Sequence, residues 1–180
     1  MKLSEVILVA LDGAGGQLAG RTRLQKVMYF LCERLGIDAG YFPHFYGPYS
    51  EQVAGAVDSL VARDLVEEEA ESTATGGPFE GRLYTYSLGE RGREVLAFAE
   101  EREGERARRV REELAGLLSE KPSTQALAVA SKLHIILPES DSVSDEELRR
   151  KAANLGWDLR TANVQEGIAF LVSKGFADRD

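Results

Sequence analysis

The segment Gly15-GQLAGRT comes close to the phosphate-binding loop G-x-x-x-x-G-K-[ST], in which glycine amides cradle phosphates and a lysine reaches the terminal ones. Arg21 stands where that lysine belongs, and a planar guanidinium does not replace a compact ammonium there. No later strand ends in a convincing magnesium-binding Asp, and no alternation of strands and helices builds a parallel sheet. A glycine-rich turn between two helices is the expected reading. His44 and His134 are the only histidines, and neither falls in a metal-ligand spacing. Cys32 borders an apolar helical stripe and reads as a buried small hydrophobe. Glu67, Glu68, Glu69 and Glu71 would alternate between the faces of a strand, which suits a solvated edge better than acid–base work. No catalytic residue, cofactor or metal is expected.

Binding chemistry has more to draw on. Arg21, Arg23 and Lys26 share one helix and could meet phosphates, while Gln52, Ser59 and Arg63 on the next helix could meet base edges or phosphates. Arg82 would join them from the start of a strand. Against this stand Glu51, Asp58, the carboxylates of Glu67 to Glu71 and a net charge of −8, all of which weaken attraction to a polyanion. A second use for the same cations is internal. Arg21, Gln25 and Lys26 could brace the turn Phe45-YGPYS by bonding its carbonyls and tyrosine hydroxyls. In that turn Gly47 and Pro48 set the bend, Tyr49 follows, and Ser50 is a good helix N-cap, so the four read as structural.

These residues need elements to hold them. Leu3, Val6, Ile7, Ala10 and Leu11 recur at helical spacing and predict a first short helix ended by Gly13-AGG. A second helix runs from Thr22 to Leu35 and stops at Gly36. Tyr41-FPHFY reads as a short strand, Gly47-Pro48 as a turn, and Ser50 to Arg63 as a third helix with Val53, Val57, Leu60 and Val61 inward. Leu65-VEEE and Arg82-LYTYSL are strands around a loop carrying Gly76, Gly77 and Pro78. That order is a winged helix-turn-helix, with residues 1–89 as one domain. Residues 90–120 predict a long charged helix, either a solvated connector or an antiparallel dimerisation helix. Its middle, Glu100 to Arg109, has almost no apolar stripe, and Glu105, Arg109 and Glu113 sit four apart. Residues 121–180 read as a small helical domain, with Ser144 capping one of its helices. Val53-AGAVDSLVARDLVEEE and Val164-QEGIAFLVSKGFADRD align without a gap, so this part could be a second, wingless helix-turn-helix. The fold class is therefore mainly α with a small β-hairpin (α+β).

An apolar fraction of 43% and a charged fraction of 29% suit a packed soluble domain. The single cysteine fits a reducing cytoplasm, and no stretch approaches the roughly 18 apolar residues of a membrane helix. The motifs Gly20-RTRLQKVMYFL, Pro43-HFYGPYSEQV and Tyr84-TYSLGERG together resemble the bacterial YwgA-like family of uncharacterised winged-helix proteins, over roughly Met1 to Leu96. Gly89 stands where that family carries threonine. The resemblance implies a winged-helix fold and supplies no activity. The functional expectation is a DNA-binding transcriptional regulator contacting duplex DNA. The competing expectation is a protein–protein interaction module, adaptor- or antitoxin-like, and a nucleotide-binding enzyme comes third. A homodimer and a cytoplasmic location complete the expectations.

Overall fold

The computed structural model describes residues 1–73, 81–137 and 144–177. Among them the order is α1 (Leu3–Gly13), β1 (Gln17–Ala19), α2 (Arg21–Leu35), α3 (Glu51–Val61), β2 (Val66–Thr73), β3 (Gly81–Leu88), α4 (Glu90–Leu118), α5 (Thr124–Ile136), α6 (Asp145–Asn154) and α7 (Thr161–Ser173). The expected class holds: a mainly helical chain with one small antiparallel sheet. The expected loop glycines Gly76 and Gly77, with Pro78 and Pro138, lie outside the described residues.

The two central helices are buried on nearly every side over their middle turns. Val6 to Leu11 of α1 are all buried, as are Leu24 to Cys32 of α2. A helix buried all round needs neighbours all round. α1 packs against α3, α4 and the sheet, and α2 against α4 and α5. The buried apolar residues form one cluster running from α1 and α2 through Leu127 and Leu133 of α5 to Val164 and Leu171 of α7. Glycine left-handed geometry at Gly36 ends α2, as its position past the apolar stripe requires.

The sheet order is β1-β3-β2. β2 and β3 form the expected hairpin, in register from Val66 opposite Leu88 to Thr73 opposite Gly81. Its inner face carries Val66, Tyr86 and Leu88. The third strand is a correction. Tyr41 to Tyr46 is no strand; only Phe42 and Tyr49 bridge. The strand lies earlier, inside the glycine-rich segment, where Leu18 is buried and pairs with Tyr86. Gly20, at φ 98°, donates its amide to the Tyr84 carbonyl at 2.7 Å, fixing the chain as it leaves β1 for α2. Gly15-GQLAGRT is thus more than the plain turn expected of it. It supplies an edge strand between two helices.

The long charged helix also differs from expectation. Non-helical angles at Glu103 divide α4 into two limbs, and the second folds onto α1. The sparse apolar residues Ala107, Val110, Leu114 and Leu117 are spaced three and four apart, and that narrow seam is buried. Arg109 donates to the Arg34 carbonyl at 3.3 Å, and Glu113 pairs with Arg34 at 3.8 Å, in place of the expected pairs along the helix. Arg111 joins the limbs to α1, meeting Glu100 at 2.5 Å and Asp12 at 2.6 Å.

The internal echo extends to backbone detail. Asp64 after α3 and Gly175 after α7 both take positive φ, at 57° and 66°. The next amide, of Leu65 or Phe176, returns to the carbonyl of Leu60 or Leu171 at 3.0 and 2.7 Å. Both ends are the same left-handed helix stop, with an apolar residue just beyond it. Ser144 caps α6 as expected, accepting the Glu147 amide.

Candidate functional site

The segment between α2 and α3 closes into a tight hairpin whose polarity is inside out. Phe42 and Tyr49 exchange backbone hydrogen bonds at 3.0 and 2.9 Å, and His44 and Gly47 do so at 3.2 and 2.9 Å. Phe45 and Tyr46 therefore occupy the two tip positions. They pack edge-to-face with ring centroids 4.9 Å apart, yet remain 68% and 62% exposed.

Buried polar side chains hold this hairpin from beneath. The Gln25 amide donates to the Ser50 carbonyl and accepts the Ser50 amide, each at 3.0 Å. That two-way bond closes both backbone groups of one residue, for which the separate donor and acceptor of an amide side chain are well suited. The Ser50 hydroxyl donates to the Ala39 carbonyl and accepts the Val53 amide at 3.0 Å, capping α3. Lys26 Nζ donates to the Pro48 carbonyl at 2.6 Å. Burial, with the charge of Lys132 nearby, pulls the Lys26 ammonium down to about 8. Gly47 has φ 99°, and a Cβ there would lie 3.1 Å from Lys132 and 3.3 Å from Lys26 Nζ. From the C-terminal part, Trp157 Nε1 donates to the His44 carbonyl at 2.8 Å. Gly47, Pro48, Tyr49 and Ser50 thus run through the turn into the cap of α3.

The expected phosphate contacts are dispersed. Lys26 is 2% exposed and committed to Pro48, so it is unavailable to any polyanion, a correction forced by its position beneath the hairpin. Arg23 is half-buried and donates to the Pro122 carbonyl at 2.7 Å, fastening the α4–α5 connection. Arg21 stays exposed but leaves the hairpin alone. Its guanidinium stacks on Tyr84 at 3.6 Å, donates to the Tyr86 hydroxyl at 3.1 Å and faces Glu68 at 3.5 Å. Gln52 and Ser59 are exposed on α3 with Glu51 and Asp58, Arg63 is exposed just past its end rather than on the helix, and Arg82 is exposed on β3. Exposed Glu67, Glu69 and Glu71 line the neighbouring β2.

Other features were less legible. The Tyr29 hydroxyl and His134 Nδ1 lie 2.6 Å apart, linking α2 to α5, and burial lowers the His134 pKa. Nothing in the spacing joins residues so distant. Trp157, the one tryptophan, carries no spacing that ties it to His44. Cys32 is buried as expected, and burial, followed by the Glu33 charge, pushes its thiol up to about 12, far from a reactive thiolate. A cleft of about 360 Å³ between α2, α4 and α7 is crossed by paired charges, Arg34 with Glu113 and Lys174 with Glu120. Among the described residues no group of three or more His, Cys, Asp or Glu could hold a metal ion. No helix among them is long and apolar enough to cross a membrane.

No family model matches the chain. The chain is similar to the uncharacterized protein YwgA of Bacillus subtilis (strain 168), with 35% identity over 86 residues, which is 47% of this chain and 49% of that protein. The chain spans about half the length of the curated relative it matches, and the match supports a relationship to a YwgA-like family.

Proposed function

We propose that this chain is a protein-interaction module on a winged-helix scaffold, with α1 to α3 as the helical part and β2–β3 as the wing. Its docking element is the Phe45–Tyr46 tip. One observation carries this reading: two large aromatic side chains stand in water on a backbone fixed by Gln25, Lys26 and Trp157. Exposed aromatics on a rigid support lose little entropy on binding and make good interface anchors. The carboxylates of α3 and β2 and the net charge of −8 favour a partner whose apolar pocket has a basic rim. An adaptor- or antitoxin-like role fits that chemistry.

Duplex DNA is the second reading. Gln52 and Ser59 are exposed on α3 and Arg63 just past its end, where a base-reading helix would present them. With Lys26 and Arg23 withdrawn, few phosphate contacts remain, and the acidic neighbours oppose them. A photo-crosslinking amino acid placed at 45, 46, 52 or 59 in cells separates the readings. The interaction reading expects one protein adduct from 45 and 46, reproduced with the purified partner. Nucleic-acid adducts from 52 and 59, with none from 45 or 46, would overturn it in favour of DNA.

A further inference from the structure

The first limb of α4 carries a second exposed aromatic, away from the hairpin. Phe98 is 74% exposed, with Val95 beside it at 37%. The limb buries Gly92, Leu96 and Ala99 against the core. Arg91, Glu94, Val95, Phe98 and Arg102 therefore form its outward stripe, and every one of them is exposed. At helical spacing they adjoin one another along one side.

The charges around Phe98 are antisymmetric. Four residues before it stands Glu94 and four after it Arg102; seven before stands Arg91 and seven after Glu105; eight before stands Glu90 and eight after Arg106. An antiparallel two-fold pairing places residues equally far before and after the axis opposite each other. Each pair is opposite in sign, and in Glu94 and Arg102 both members lie before the kink at Glu103, where one limb can bring them together. A parallel pairing would set each charge against its own copy.

We infer that the first limb of α4 is a homodimer interface, with Phe98 packed on Phe98 of a second copy and Glu94 facing Arg102 across the two-fold axis. Both members of that pair lie before the kink at Glu103, on one straight limb. Arg102 already meets Glu5 at 2.7 Å and Glu103 at 3.0 Å, yet its side chain is 57% exposed and open to a further carboxylate. The surface is short, so the dimer is a weak one with micromolar dissociation. The inference is independent of what the aromatic hairpin binds.

Sedimentation velocity on the full chain across a concentration series tests this. The wild type should be largely dimeric at about 100 µM and dissociate on dilution. Phe98→Glu should weaken the dimer by about 30-fold or more, since it removes the central contact and sets two carboxylates against each other. Glu94→Arg should weaken it by about tenfold, and adding Arg102→Glu should restore it. Unchanged far-ultraviolet dichroism and urea midpoints establish that the variants remain folded, as exposed positions allow. A wild type that stays monomeric throughout the series overturns the inference. So does a dimer indifferent to Phe98→Glu, or one that the double exchange fails to restore.

Discussion

The hairpin between α2 and α3 and the surface formed by α3 and β2 are neighbours with opposite polarity. On α3 and β2 the ordinary rule holds: Val53, Val57, Leu60 and Val66 are inside, while Glu51, Asp58, Glu67 and Glu69 face water. In the hairpin Gln25, Lys26 and Ser50 are inside, and Phe45 and Tyr46 are outside. A buried lysine and an exposed aromatic pair both oppose the hydrophobic effect. Residues that work against stability in one place are the signature of a surface kept for another purpose. The acidic surface shows no such inversion.

Removing the supports under the hairpin should have the largest consequences. Trp157→Ala deletes a buried ring and the donor to the His44 carbonyl, and should cost about 3–5 kcal/mol in urea unfolding. Gln25→Leu keeps the volume but leaves the Ser50 amide and carbonyl without partners, and should cost about 2–4 kcal/mol. Glu51→Ala, on the adjoining ordinary surface, should move the midpoint by less than about 0.5 kcal/mol. If Gln25→Leu were equally silent, the buried network would not be what holds the turn.

Lys26 gives the inverted region a pH signature. Its folded pKa, about 8, lies below the ordinary lysine value, so the folded state disfavours its charge. The unfolded chain binds the extra proton between about pH 8 and 10, so this lysine's contribution to stability improves as pH rises through that window. Its penalty is full below pH 8. Cys32 acts in the opposite sense, because its thiol is held protonated in the fold while the unfolded thiol ionises near 9. The clean quantity is therefore wild type minus Lys26→Met. That difference should shift in favour of wild type by on the order of 1 kcal/mol between pH 8 and 9.5, before unfolded tyrosines ionise near 10. A flat difference in denaturant titrations would mean that Lys26 is not desolvated.

Helix boundaries and the β2–β3 hairpin were legible because local patterns determine them: apolar spacing, the Ser50 and Ser144 caps, and the glycine after α2. β1 was not legible. Three residues carry no periodicity, and their strand conformation comes from pairing with β3, which lies far along the chain. The same holds for the second limb of α4, whose seam looked too thin to be buried until α1 covered it. Gln25 and Lys26 were legible as braces for the turn. Their burial was not, because a basic amphipathic helix looks alike whether its cations face water or a neighbouring carbonyl. Trp157 reaches His44 from a part of the chain with no local signal pointing there.

The smallest stability effect carries the most weight for function. Phe45→Ser with Tyr46→Ser removes two exposed rings and no hydrogen bond, so unfolding should change by less than about 0.5 kcal/mol. Affinity of this double variant for the partner identified by crosslinking, measured by calorimetry beside wild type, tests the central claim most directly. The aromatic-tip reading predicts a loss of at least about 2 kcal/mol, roughly 30-fold, in a protein of unchanged stability. Equal affinity in the two proteins would contradict it.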